Sequence, residues 1–236
     1  MSSTETAAFP GTAADPAVAP RNRAHIALAA AGGVALLAGP ALFFAGLATS
    51  PVQEGEDKAS YIASLAADPA LTQLSAVLLH YGNLLMGAGV LALAWLVRGK
   101  RGAIPAVIGA LLASLALLVN SGALYADWMH LELGRRLDPV TGAAISEAVY
   151  AHLPFQLSFQ LSPLIAVGLI VAAIGLLRAG VMGWWTIPAV VAGQVGMLFL
   201  PYSMPLLPAL GVTPLLAVLV VAGLRVLGRV RAGAVG

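Results

Sequence analysis

The sequence has no cysteine among its 236 residues, which excludes disulfides, thiolate metal sites and cysteine nucleophiles. Charged residues are also scarce, at 9% of the chain, whereas soluble domains carry about 25%. A chain with so few charges cannot cover a surface that faces water, so lipid must be its main solvent. The net charge of +2 is too small to indicate a nucleic-acid partner.

Recognisable catalytic motifs are missing as well. The sequence contains no Gly-x-Ser-x-Gly motif of a hydrolase, no glycine-rich phosphate loop and no His-Glu-x-x-His zinc motif. These absences favour a protein that is not an enzyme.

Long apolar runs are what the chain has in abundance, since 60% of its residues are hydrophobic. Six runs come near the ~20 residues that a helix needs to cross ~30 Å of hydrocarbon. We therefore predict an all-α integral membrane protein, a bundle of six transmembrane helices in a bacterial plasma (inner) membrane. The predicted spans are residues 25–48, 72–97, 103–126, 154–177, 183–200 and 206–224.

The two ends of the chain differ from these runs. Residues 1–22 are small and polar and predict a disordered tail. Residues 23–228 form the predicted transmembrane domain, and residues 229–236 a short second tail. The first apolar run has a rival interpretation as a signal peptide, but it is about twice as long as the usual ~7–15 residues. We therefore interpret it as an uncleaved first span.

Loop charges predict the orientation of the six spans. With both termini in the cytoplasm, the inner segments hold nine of the twelve basic residues and the outer loops eight of the ten acidic ones. That asymmetry follows the positive-inside rule. The inner basic residues are Arg21, Arg23, Arg98, Lys100, Arg101, Arg178, Arg225, Arg229 and Arg231.

Two outer loops, residues 49–71 and 127–153, are long enough to hold helices of their own. Each contains an Asp-Pro pair, at Asp68-Pro69 and Asp138-Pro139, and Asp before Pro is typical of a helix start. We predict that the first pair starts the second span. Short surface helices are expected over residues 58–66 and 141–151, with a break near Pro154.

Polar side chains inside the predicted spans indicate where a site could lie. Four helices each carry an amide or a histidine in the outer leaflet at similar depth, and such groups usually face the interior of a bundle. We predict an outward-facing pocket, with His80 as its titrating group. The alternative is that these groups only form hydrogen bonds between helices. The pocket residues are His80, Asn83, Asn120, Tyr125, Gln156, Gln160 and Gln194, and the mouth residues are Asp127, His130, Glu132 and His152.

The histidines also allow a cofactor hypothesis. Asp127 and His130 are three residues apart and would share a helix face, so with His80, Glu132 or His152 they could bind a divalent metal. Haem b would need two facing histidines, such as His80 and His152, but their predicted depths differ by about 10 Å. Neither cofactor is favoured by the sequence.

Three functions therefore stay open at this stage. The leading hypothesis is a pocket that binds a small polar solute or a proton for transport or sensing. The second is a membrane redox protein that uses a metal or haem. The third is a structural or partner-binding membrane subunit without a ligand, and an oligomer is compatible with all three.

Overall fold

The computed structural model describes residues 19–233, and within that range all regular secondary structure is helical. Most of the predicted N-terminal tail, residues 1–18, and residues 234–236 of the predicted C-terminal tail lie outside the described residues. The helices are α1 (Ala19–Ala48), α2 (Lys58–Ala67), α3 (Pro69–Val90), α4 (Leu93–Leu96), α5 (Ala103–Ala123), α6 (Ala126–Arg136), α7 (Pro139–Tyr150), α8 (Leu153–Leu161), α9 (Pro163–Arg178), α10 (Thr186–Phe199) and α11 (Leu206–Arg231).

Within residues 19–233, five helical segments are long and apolar enough to cross a membrane. The prediction of a multi-pass, all-helical membrane protein is confirmed at that level. Helix α10 lies within the fifth predicted span, residues 183–200, and has 14 residues, which gives a length of about 21 Å. The five segments are Arg23–Ala48, Pro69–Leu96, Ala103–Arg136, Leu153–Arg178 and Leu206–Arg231.

Six helices form a closed ring. Going round it, α1 packs on α3, α3 on α5, α5 on α9, α9 on α10, α10 on α11, and α11 on α1 again. The contact between α9 and α10 is the least extensive of the six. The ring brings one face of every helix to a common centre, which is where the candidate site lies.

Three short helices, α2, α6 and α7, pack together at one end of the ring and are called the cap below. Their starts follow from local sequence. Asp57 caps α2 by accepting a hydrogen bond from the Ser60 amide at 2.9 Å, and Asp138 caps α7 through the Thr141 amide at 3.0 Å. Asp68 caps α3 in the same way. Both predicted Asp-Pro helix starts are therefore present, and both predicted short helices form.

Arginine side chains tie the opposite end of the ring together. Arg229 on α11 donates a hydrogen bond to the Trp95 carbonyl at 2.7 Å, and Arg225 donates one to the Val181 carbonyl. These bonds connect α11 with α4 and with the segment between α9 and α10. The helix continues to Arg231, three residues into the predicted C-terminal tail.

Helices α5 and α9 approach until their backbones touch. A Cβ atom added at Gly109 would lie 2.2 Å from the Ala172 backbone nitrogen, and one added at Gly168 would lie 2.4 Å from the Ala113 nitrogen. Small residues allow this approach, and in lipid such close packing is a main source of helix association.

Replacing Gly109 with leucine should therefore force the two helices apart. We expect Gly109→Leu to destabilise the protein by about 1–3 kcal/mol, the usual cost of overpacking a core. Gly122→Leu is the matched control on the same helix, because nothing lies within 4 Å of a Cβ added there. Thermal unfolding in detergent micelles measures both, and equal unfolding temperatures for the two variants would contradict the close α5–α9 contact.

Candidate ligand-binding site

A cavity of about 490 Å³ occupies the centre of the ring, and all six ring helices contribute to its wall. We call it the central chamber. Most of its wall is aliphatic, and the polar side chains are two asparagines, one glutamine and one serine. Its lining residues are Phe43, Asn83, Met86, Leu117, Asn120, Ser162, Pro163, Ile165, Ala166, Val167, Leu169, Gln194, Met197, Leu198, Val212, Leu215, Leu216 and Leu219.

A second cavity of about 380 Å³ lies between the central chamber and the cap. We call it the vestibule. It differs from the chamber in its charges, since four carboxylate or ammonium groups line it. Glu56 and Asp57 are exposed, so the vestibule opens to the outside beside the start of α2. The charged lining residues are Glu56, Asp57, Lys58 and Asp127.

The two cavities share four wall residues, Phe43, Asn83, Asn120 and Met197, and these are called the boundary residues. A shared wall places the cavities next to each other. Each volume falls in the range of about 300–1,000 Å³ that is typical of small-molecule sites. The arrangement therefore resembles one site with a polar entrance and an apolar interior.

Asn83 is the boundary residue whose side chain lacks a hydrogen bond. Its side chain is 1% exposed, and its Nδ2 has no hydrogen-bond partner among the described residues. A buried donor without a partner costs about 1–3 kcal/mol. Its neighbour Asn120 accepts a hydrogen bond from Ser162 Oγ at 3.3 Å. Asn83 thus combines an unpaired side-chain amide with a position in the shared wall of the two cavities.

A hydrogen bond between two helices of the cap borders the vestibule. The Tyr61 hydroxyl on α2 donates to Oδ1 of Asp127 on α6. Burial, reinforced by the Asp127 charge, raises the pKa of Tyr61 well above its usual value of 10, so the hydroxyl stays protonated and remains a donor.

Lys58 supplies the positive charge of this cluster. Its Nζ lies 4.7 Å from the centre of the Tyr150 ring and 5.6 Å from that of Tyr61, within the range of cation–π contacts. Burial lowers the pKa of Lys58, and the negative charges of Glu147 and Asp127 partly oppose that shift. Burial also raises the pKa of Tyr150 to about 12.

The structure separates the predicted site residues into three groups. Asn83, Asn120 and Gln194 line the central chamber, and Asp127 lines the vestibule. His80, predicted as the titrating pocket group, lies instead between α3 and α5. Its Nδ1 is 2.9 Å from both Oγ and the carbonyl oxygen of Ser121.

Aromatic rings enclose the two buried histidines. The ring of His80 packs against Tyr125 at 4.5 Å between ring centres, and Tyr125 itself is exposed. His130 is buried in the cap, where its Nε2 lies 2.7 Å from Ser146 Oγ and its ring stacks on Tyr150. Neither histidine lines the chamber or the vestibule.

The remaining predicted residues lie at the surface of the ring and the cap. Gln156 and Gln160 on α8 are exposed, as is His152 just before that helix. Glu132 pairs with Arg135 at 3.1 Å and with Arg136 at 2.8 Å on its own helix. Between residues 19 and 233, no three His, Asp or Glu side chains come together as a metal-ligand group.

Several lining residues were not predicted from the sequence. Lys58 and Tyr61 fall on the predicted short helix after the first span, and no signal in the sequence beyond that helix indicated that they line a cavity. Tyr202 lines the vestibule from the segment between α10 and α11, where its carbonyl accepts a hydrogen bond from the Gln53 amide at 3.5 Å. Ser162, at the junction of α8 and α9, completes the chamber.

Comparison with known proteins returned no match: no family model, no curated protein and no solved structure is similar to this chain.

Proposed function

We propose that this protein binds a small molecule with a hydrogen-bond acceptor in the central chamber and vestibule, and that this binding serves transport or sensing. The observation that carries the proposal is the unpaired Nδ2 of Asn83 in the shared wall of the two cavities. Buried polar groups normally have partners. The ligand would supply the missing hydrogen-bond acceptor.

The orientation and the sixth span belong to the same proposal. Helix α10 takes part in the ring like the five longer helices, which supports six spans with both termini on one side. The α4–α5 connection and the end of α11 are rich in basic residues, which favours a cytoplasmic location for both segments. The cap and the vestibule then face outward across the bacterial plasma membrane.

Cysteine labelling tests the vestibule and its orientation together, because the native chain has no cysteine to interfere. Ser75 lines the vestibule, whereas Ser114 on α5 lines neither cavity, and the two are buried to nearly the same degree, at 3% and 4% exposure. In spheroplasts treated with a membrane-impermeant methanethiosulfonate, we expect Ser75→Cys to react and Ser114→Cys not to react. Lys100→Cys should react only after the membrane is permeabilised.

Each comparison in this labelling experiment can contradict the proposal. Equal reactivity of Ser75→Cys and Ser114→Cys would mean that water does not reach the vestibule. Reaction of Lys100→Cys in intact spheroplasts would place the arginine-rich end outside and invert the orientation.

A further inference from the structure

The wall of the central chamber is incomplete on one side. Most lining residues from α1, α3, α5 and α11, such as Phe43, Met86 and Leu215, are buried. On α9 and α10, in contrast, Val167 is 48% exposed and Leu198 is 72% exposed, although both line the chamber. These are also the two neighbouring helices with the least extensive contact. The chamber therefore opens sideways through a window between α9 and α10.

This window faces lipid rather than water. Helix α9 belongs to a segment that is long and apolar enough to cross a membrane, and α10 is a shorter apolar helix beside it. Val167 and Leu198 are aliphatic, and none of the described chamber residues on these two helices carries a charge that would hold water there. A molecule that enters here would come from the hydrocarbon region of the bilayer.

The interior of the chamber selects against charge. Among the described residues, its lining contains no Asp, Glu, Lys, Arg or His, and an ionised group moved there would lose its hydration without gaining a counter-charge. Most of the wall is hydrocarbon, which matches a hydrocarbon chain. The unpaired amide of Asn83, a lining residue, favours a molecule that also carries a hydrogen-bond acceptor such as an oxygen.

We infer that the central chamber takes up a neutral amphiphile, a molecule with a hydrocarbon chain and an uncharged oxygen-bearing head group such as a monoacylglycerol, through the window between α9 and α10. The inference rests on the proposed function and names the ligand class for the same site. The head group accepts a hydrogen bond from Asn83 at the boundary with the vestibule. The chain lies along the aliphatic wall, near Met86 and Leu215.

Photo-crosslinking with a monoacylglycerol that carries a diazirine on its acyl chain tests this inference. The full chain is reconstituted in phosphatidylcholine nanodiscs, and labelled peptides are mapped by mass spectrometry. We expect labels on buried chamber residues such as Met86 and Leu215. Val167→Trp, which fills the window, should reduce that labelling about tenfold, equivalent to about 1.4 kcal/mol.

Val77→Trp is the matched control, because Val77 is 41% exposed on α3 and lines neither cavity. It should leave the chamber labelling unchanged, and thermal unfolding shows whether both variants are folded. If Val167→Trp fails to fold, Leu198→Trp on the other side of the window takes its place. A diazirine-bearing fatty acid of the same chain length, with its charged head group, should label the chamber less than the monoacylglycerol does.

Three outcomes overturn the inference. They are labels confined to lipid-exposed residues, equal chamber labelling with and without Val167→Trp, and equal labelling by the charged and neutral probes. If Ser75→Cys reacts with the water-soluble reagent while the chamber stays unlabelled, the inference fails and the proposed function stands. If neither probe reaches its cavity, both fail.

Discussion

Asn83→Leu should make the protein more stable and less able to bind its ligand. Leucine has the branched shape of asparagine and no polar atoms, so it removes a buried donor that has no partner within the described part of the chain. Leucine is larger, but Asn83 lines two cavities that offer space for the extra volume. Replacing such a group is neutral or stabilising. Binding should weaken by about tenfold, since one hydrogen bond to the ligand contributes about 0.5–1.5 kcal/mol.

Asn120→Leu is the control for this prediction, because Asn120 lines the same two cavities but already has a protein partner. It accepts a hydrogen bond from Ser162, and its loss should lower stability. The two substitutions are chemically identical and are expected to have opposite effects on the unfolding temperature. Binding is measured with the photoreactive monoacylglycerol and by native mass spectrometry of protein released from membranes.

Loss of stability in Asn83→Leu would contradict this prediction. It would mean that the amide nitrogen already has a hydrogen-bond partner, such as a buried water, and that no ligand is needed to pair it. Unchanged probe labelling in a stable Asn83→Leu would remove Asn83 from the site. A gain in stability together with a loss of binding is typical of a group kept for function.

The helix starts were predictable from short stretches of sequence, because the hydrogen bonds that cap a helix join residues close together in the chain. An Asp side chain can reach the amide three residues ahead whatever the rest of the fold does, so Asp68 and Asp138 cap their helices as predicted. The apolar runs were equally informative, because a lipid-crossing helix needs only length and composition. Both signals are readable without knowing which helix packs on which.

The positions of the polar residues were predictable only in part, because their contacts depend on how the helices pack. Polar side chains in apolar helices face protein, and Asn83, Asn120 and Gln194 do so in the chamber. His80 obeys the same rule, but its contact is Ser121 on the next helix, a choice that depends on the rotation of both helices. The rule predicts that a polar residue faces the interior, but it does not predict which residue it contacts there.

Gln156 and Gln160 were placed by assuming one straight fourth span. The structure divides that span into α8 and α9 at Ser162, with Pro163 as the first residue of α9, and both glutamines are exposed on α8. Proline at the first helical turn lacks an amide donor and allows such a junction. The depth of a residue counted along a straight helix cannot account for a break of this kind.

The cap was the least predictable part, because its contacts join distant parts of the chain. Tyr61 and Asp127 are 66 residues apart in sequence, yet they share a hydrogen bond that closes one side of the vestibule. No local pattern relates them. Their pairing follows from the packing of α2 on α6, which only the folded ring establishes.

Tyr61→Phe should be among the most destabilising single changes in the protein. It removes the hydroxyl that donates to the Asp127 side chain and leaves a buried acceptor without that donor. Uncompensated groups of this kind cost about 3 kcal/mol. Asp127→Leu should cost less, because the phenol that it leaves behind is neutral and Lys58 keeps the negative charge of Glu147.

The double variant Tyr61→Phe/Asp127→Leu distinguishes this hydrogen bond from simple packing. Replacing both partners with apolar groups is nearly neutral, so the double variant should be more stable than Tyr61→Phe alone, although the Tyr61 change is present in both. The coupling energy from the four unfolding free energies in a double-mutant cycle measures the bond. If the two single effects simply add, the bond contributes nothing, and α2 is held in the cap by apolar contacts such as those of Ile62 and Leu65, which are buried on the same helix.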